Sequence, residues 1–170
     1  NVTVNSGSLS FNSGYVQTGG AMVLNGGGLT SNSALQIQGG KLTGSGSVTA
    51  SVNNNGGIVE PGNGVGSLTI SGNYVQTASG ALHVEVGGPT PGTGYDQFVV
   101  NGAATLTGTL AISLTNGFTP TVGASFTVMT YNSHTGDFGS LAGDQFAVDR
   151  KFTATAGGAS LVLQVVTNTV

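Results

Sequence analysis

Apolar side chains in this chain recur with a period of two, and the runs are cut every few residues by glycine. Val2 and Val4, Leu35 and Ile37, Leu68 and Ile70, and Leu82, Val84 and Val86 alternate with polar or small residues. That period sends successive side chains to opposite faces of a strand. A helix would need an i, i+3, i+4, i+7 stripe, which no stretch sustains. The longest run, Ala104 to Leu114, sets Leu106, Leu110, Ile112 and Leu114 on one face and Thr105, Thr107, Thr109 and Ser113 on the other. The expected fold class is all-β. Gly19-Gly20, Gly26-Gly27-Gly28, Gly39-Gly40, Gly56-Gly57, Gly87-Gly88 and Gly157-Gly158 punctuate the strands where turns need positive φ. Asn53-Asn54-Asn55-Gly56-Gly57 reads as a turn in which stacked asparagines could form a ladder.

Composition narrows the choice of all-β architecture. Glycine supplies 31 of 170 residues, against a usual share of about 7%. Charged residues make up 5% of the chain, where about 25% is ordinary. With no Cys, a disulfide scaffold or a thiolate zinc site is excluded. Lys41, Arg150 and Lys151 are the three cationic side chains, too few to bind nucleic acid by phosphate neutralisation. Disorder is disfavoured, because 38% of the residues are hydrophobic and the net charge is only −3. No apolar run approaches the roughly 18 residues of a membrane-spanning helix. The chain begins at Asn1 without a charged or apolar leader, as expected of a processed product or an excised fragment.

An internal repeat gives the architecture. Tyr15-Val16-Gln17-Thr18 and Tyr74-Val75-Gln76-Thr77 lie 59 residues apart, which suits three coils of about 20 residues. Gly27-Gly28-Leu29 and Gly39-Gly40-Lys41-Leu42-Thr43 mark strand–turn units between them. Coils of this kind stack at about 4.8 Å and bury their apolar face against their neighbours. Near Pro89-Thr90-Pro91-Gly92-Thr93-Gly94 the texture changes: strands are expected to be short before it and longer after it, where Phe98, Phe118, Phe126, Phe138, Phe146 and Phe152 lie. The expected organisation is therefore solenoid coils over 1–88, a connection over 89–94, and a C-terminal β segment over 95–170 that continues or caps the coils.

The stretch from Ile58 to Gln76 contains Val59-Glu60-Pro61-Gly62-Asn63, Gly66-Ser67-Leu68-Thr69-Ile70 and Gly72-Asn73-Tyr74-Val75-Gln76. It resembles the pattern V-x-P-G-N-x-x-G-x-L-T-I-x-G-N-Y-x-Q of the β-helical passenger regions of bacterial autotransporters and related large surface proteins. The similarity runs on through Gly80–Gly88 and Tyr95–Leu110 and spans roughly residues 35–140. The resemblance implies a right-handed parallel β-helix, secreted and displayed on a bacterial cell surface as a stalk, adhesin or scaffold. The chain carries no membrane barrel of the autotransporter kind and is far shorter than a typical passenger.

Candidate chemistry is sparse. The acids are Glu60, Glu85, Asp96, Asp137, Asp144 and Asp149, and a glycosidase would need two of them flanking a cleft. Glu60 reads as a turn residue, Glu85 shares a strand face with His83, and Asp96 reads as a turn or capping residue at a strand start. His83 is expected to point outward as a solvated strand residue and His134 to lie in a loop. A Ser-His-Asp triad has no G-x-S-x-G elbow to seat it. No catalytic residue and no cofactor is expected. Calcium is the more reasonable metal, and Asp144 and Asp149 could contribute to one loop site, but ordinary surface acids explain them better and no D-x-D-x-D-G loop or G-G-x-G-x-D repeat occurs. Thr105, Thr107 and Thr109 could order water, but threonine favours the wet face of any strand.

The ends carry the functional expectation. Asn1–Val4 and Leu161–Val170 read as strands without charge, proline or bulge, and unguarded edges of that kind template pairing with another chain. Val2, Val4, Leu161, Val162, Leu163, Val165 and Val166 are the expected self-association residues. The expected function is an extracellular structural protein whose copies join through terminal strands into a filament or surface matrix. The alternative is a stalk or adhesin fragment whose partner is a surface glycan, with a carbohydrate-active β-helix enzyme more remote.

Overall fold

A computed structural model describes residues 1–168, and every regular element among them is a strand. In chain order these are β1 (Val2–Val4), β2 (Ser8–Phe11), β3 (Val16–Ser31), β4 (Leu35–Thr49), β5 (Val52–Asn54), β6 (Ile58–Pro61), β7 (Ser67–Ile70), β8 (Tyr74–Gln76) and β9 (Ala81–Val86). There follow β10 (Gln97–Val100), β11 (Ala103–Thr105), β12 (Thr109–Leu114), β13 (Ser125–Thr130), β14 (Ser133–Thr135), β15 (Ser140–Ala142), β16 (Arg150–Ala156) and β17 (Ser160–Thr167). All seventeen belong to one sheet that wraps around one core, with parallel pairs up to β15 and antiparallel pairs at the end. The fold is all-β and solenoid-like.

Register explains how the alternating sequence builds that core. Met22 pairs with Leu42, Leu42 with Val59, Val59 with Leu82 and Leu82 with Leu110, forming one inward column of buried side chains. A second column runs Leu29, Val48, Ile70, Val100, and a third runs Leu35, Val52, Tyr74, Ala104. Each coil thus gives an apolar residue to each of three faces. No coil closes its own core, and each buried Leu, Ile or Val contributes roughly 1.5–3 kcal/mol only once its neighbours are stacked.

Glycine lets the strands turn without losing their ladders. Contrary to the expectation of short strands before residue 89, β3 and β4 are the longest, at 16 and 15 residues. Both run through corners at which Gly20, Gly26, Gly40 and Gly44 hold positive φ, and the β3–β4 pairing shifts register at the corners at residues 19–20 and 26–27 and resumes after each bend. The run from Ala104 to Leu114 divides instead into β11 and β12, because Gly108 turns the chain at φ 69°. Asn53 and Asn54 lie in β5 and not in a turn; Asn54 is fully buried, accepting from Gly57 N–H and donating to the Ala81 carbonyl.

The Tyr-Val-Gln repeat has one structural meaning at both of its positions. Gln17 pairs with Ile37, Ile37 with Asn54 and Asn54 with Gln76, so the two copies lie three coils apart on the same face. In each copy the tyrosine hydroxyl donates to the glutamine Oε1, at 3.4 Å from Tyr15 and 2.7 Å from Tyr74. Each glutamine Nε2 then donates to corner carbonyls: Gly20 and Lys41 for Gln17, and Gly80, Thr107 and Thr109 for Gln76. These are buried amides with every donor matched, which fixes the corner geometry.

Residues 89–94 do not separate two cores. β10 pairs with β7, β11 with β8 and β12 with β9, so the parallel ladders cross this segment. The spacing between paired residues grows from 20 at Met22–Leu42 to 31 at Phe98–Met129, and the extra chain is housed in corner loops. The aromatic C-terminal segment closes this end. Phe126 meets Tyr95, Phe118 and Phe152 edge-on at centroid distances of 5.3, 6.2 and 6.2 Å.

A substitution pair tests the corners. A Cβ at Gly44, where φ is +111°, would collide with the Leu24 backbone, whereas Gly64, at φ +86°, has open space. Gly44→Ala is expected to destabilise by about 3 kcal/mol or more, and Gly64→Ala by only about 1–2 kcal/mol from its backbone conformation. Urea unfolding midpoints of the two variants check this.

Candidate functional site

The two ends of the coil stack differ. Among the described residues, β1, β2 and the start of β3 at Val16–Thr18 pair on one side only, so the first coil presents an open edge on all three faces. Val2 is 42% and Val16 55% exposed, while Val4 is buried under the first turn. A shallow groove lined by Val2, Thr3, Val4, Asn5, Ser6, Ser8 and Leu9 follows that edge. Phe11 stacks on Tyr15 with centroids 4.6 Å apart and half-covers the core there.

The C-terminal strand corrects the expectation of a second open edge. β17 lies between β13 and β16, antiparallel to both, as an interior strand. Leu161, Leu163 and Val165 are buried in the core, and Val162 and Val166 are half-buried on the other face. Pairing along both edges leaves β17 no free backbone groups to offer another chain, whatever the composition of its two faces. Thr169 and Val170, the last residues of the expected strand, lie outside the described residues. Beyond β17, the outer side of β16 is bridged at Lys151 by Gln145, while among the described residues β14 and β15 of the last coil pair on one side only. Arg150 donates to the Pro120 carbonyl at 2.9 Å and pairs with Asp149 at 3.3 Å.

A polar chain that sequence reasoning missed crosses one outer face, one coil at a time. Lys41 and Thr43 of β4, Glu60 of β6, His83 of β9 and Ser113 of β12 occupy neighbouring registers. Glu60 Oε2 accepts from Lys41 Nζ at 2.8 Å and meets His83 Nδ1 at 2.7 Å, while Oε1 accepts from Thr43 Oγ1 at 3.3 Å. His83 Nε2 reaches Ser113 Oγ at 2.9 Å. Burial alone pushes the Glu60 carboxyl up, but the hydrogen bonds and charges of Lys41 and His83 outweigh it and hold Glu60 below the usual carboxylate range. Glu60 is thus a strand residue and not the expected turn residue, and only 10% of its side chain is exposed. His83 does face outward, yet its ring is held between two partners instead of being simply solvated. These partners are 23 and 30 residues away, and the coil lengths are unequal, so no local signal could have aligned them.

Asp96 is the other buried acid. It precedes β10, and its two oxygens accept the Gly66 and Glu85 N–H groups, each at 2.8 Å, tying one corner to β9. This matches the capping role read from its place at a strand start. Burial, partly opposed by those two N–H groups and reinforced by Glu85 and Glu60, raises its pKa to about 7.

The remaining candidates do not converge with these groups. His134 lies in the short strand β14 and not in a loop, parallel to β11, with its ring 5.1 Å from Tyr131. The expected threonine row breaks at the Gly108 corner. Thr107 donates to the Gln76 carbonyl, Thr109 bonds Ser140 at 2.9 Å, and Thr135 bonds Thr105 at 3.3 Å, so these hydroxyls join adjacent coils. Asp144 and Asp149 lie in the connection between β15 and β16, and Asp149 is engaged by Arg150. Comparison with known proteins finds no matching family model and no matching curated protein.

The two buried acids act oppositely on stability. Between its ordinary value of 3.8 and about 7, Asp96 stays protonated in the folded protein while the unfolded chain has released the proton. Its contribution is therefore full below that window and is lost as pH rises through 7. Glu60, held below its ordinary 4.5, stabilises above that value, and its contribution is lost as pH falls below it. Urea midpoints are expected to fall between pH 5 and 8, and Asp96→Asn is expected to flatten that arm while lowering overall stability by about 1–3 kcal/mol for the unmatched N–H.

Proposed function

We propose that the protein is an extracellular structural protein, a right-handed parallel β-helix of the autotransporter-passenger type, whose copies associate through the open edge of the first coil. The observation that carries this reading is the contrast between the ends. The N-terminal edge has one-sided strands on three faces with exposed Val2 and Val16, whereas at the C-terminal end the β16–β17 hairpin covers the β13 face and, among the described residues, only β14 and β15 are left one-sided. An uncharged edge with free backbone groups gains hydrogen bonds and apolar burial by meeting another strand.

The partner is a second copy offering the same edge. An end-to-end filament would use the far end as well, where β14 and β15 also pair on one side only among the described residues, but there the β16–β17 hairpin covers the β13 face, so the first coil is the edge open on all three faces. Stacking then joins first coil to first coil about a twofold axis, with strands antiparallel across the seam, and closes as a pair. Growth into a surface matrix would need lateral contacts as well. The alternative, a stalk or adhesin segment of a larger surface protein, is favoured by the regular 20-residue spacing of the first coils, because another coil of that length would seat on the same edge in register.

Val2→Lys combined with Val16→Lys places two cations on the open edge without touching the core. Sedimentation velocity across micromolar to millimolar protein is expected to show a concentration-dependent dimer for the native chain and a monomer for the variant. A native chain that stays monomeric throughout would overturn self-association and leave the stalk reading.

A further inference from the structure

We propose that Ser113, His83 and Glu60 form an acyl-transfer site on the outer sheet face, with Ser113 as nucleophile toward small, unhindered carboxylic esters. This goes beyond the structural role and does not depend on it.

The geometry supplies the three parts such chemistry needs. Ser113 Oγ lies 2.9 Å from His83 Nε2, within reach of a general base, and His83 Nδ1 lies 2.7 Å from Glu60 Oε2, an orienting carboxylate. Lys41 donates to Glu60, whose carboxyl is held ionised and therefore accepts only, so His83 Nδ1 is the donor in their bond. In the neutral ring that leaves Nε2 with a lone pair aimed at the Ser113 hydroxyl, the tautomer a base requires. Glu85, paired with Ser113 in register, is the other ionisable group on this part of the face.

An oxyanion donor lies next in the chain. The Thr109 and Thr115 N–H groups bond the Gly80 and Val86 carbonyls of the preceding coil. Alternation along a parallel strand therefore turns the Leu114 N–H toward the following coil. The ladder with β15 ends at Ala111–Ala142, so no strand in register covers Leu114. Its N–H adjoins Ser113 on the side of β12 beyond the end of that ladder, and it is the backbone donor proposed for the charge that develops on the carbonyl oxygen of an ester attacked by Ser113.

In the reaction, Ser113 Oγ forms a bond to the acyl carbon as its proton passes to His83 Nε2. The bond from that carbon to the leaving oxygen breaks as His83 returns the proton to it, releasing the alcohol and leaving an acyl ester on Ser113. Water repeats the sequence, its proton going through His83 to Ser113 Oγ, and frees the carboxylic acid. The site is an open face, so it suits small acyl groups and gives slow turnover with a burst.

The test uses the full chain with p-nitrophenyl acetate and, separately, a fluorophosphonate. Expected are a nitrophenol burst near one equivalent and a single phosphonyl adduct that peptide mapping places on Ser113. Ser113→Ala, which removes only a half-buried hydroxyl, should lower both by at least tenfold, and Ser113→Cys should restore acylation. His83→Gln should match Ser113→Ala, and Glu60→Gln, which disturbs orientation without touching substrate, should shift the pH profile of the burst. No adduct on the native chain, or an adduct that survives Ser113→Ala, overturns the proposal. An unchanged pH profile in a folded Glu60→Gln protein removes Glu60 from the site.

Discussion

In a stack of parallel strands, half of each coil's backbone donors and acceptors face the coil before it and half face the coil after it. Within this chain the interior coils meet that demand with one another, and the side-chain columns follow because the registers are fixed. The consequence falls on the two outermost coils, whose outward halves have no neighbour of the same kind. One is left bare along β1, β2 and the start of β3, and the other is covered over β13 by an antiparallel hairpin while β14 and β15 stay one-sided among the described residues. Length, aromatic content and charge all divide along that asymmetry: the coil side is glycine-rich, and the closed side carries most of the phenylalanines and two of the three cations.

The features that were legible in the sequence are those encoded locally. Alternation of Leu82, Val84 and Val86 marks a strand whatever it pairs with, and each of these residues is buried. The Tyr-Val-Gln repeat was legible because the same hydrogen-bonded pair, tyrosine to glutamine two residues on, recurs on the same face. What was not legible depends on register between coils of unequal length. Glu60, His83 and Ser113 carry no mark of proximity in the chain, since corner loops of different sizes separate them. Leu161–Val166 was misleading for a different reason: an unguarded edge strand and a strand enclosed on both sides share one composition, and only the pairing distinguishes them. The long β3 and β4 escaped because glycine reads as a break, whereas here the pairing shifts at the bend and resumes on the next face.

Scarcity of charge makes each ionisable group count. Asp96 is enclosed and answered by two backbone N–H groups. Glu60 is enclosed and answered by a lysine, a threonine and a histidine, so the outer face carries one continuous polar thread across successive coils. The thread ties β4, β6, β9 and β12 together laterally, a tie that apolar columns cannot make because they act without direction.

Corner loops absorb changes in coil length, and the connection that holds 89–94 shows how far this goes: ten residues, 87–96, lie between β9 and β10, yet β10 still seats on β7. Lengthening a loop whose ends are already held costs only about 0.6 kcal/mol per doubling. The architecture therefore behaves as a rack with fixed shelves and free brackets, into which a foreign peptide epitope could be spliced at 89–94 and displayed clear of the stack without altering a single rung.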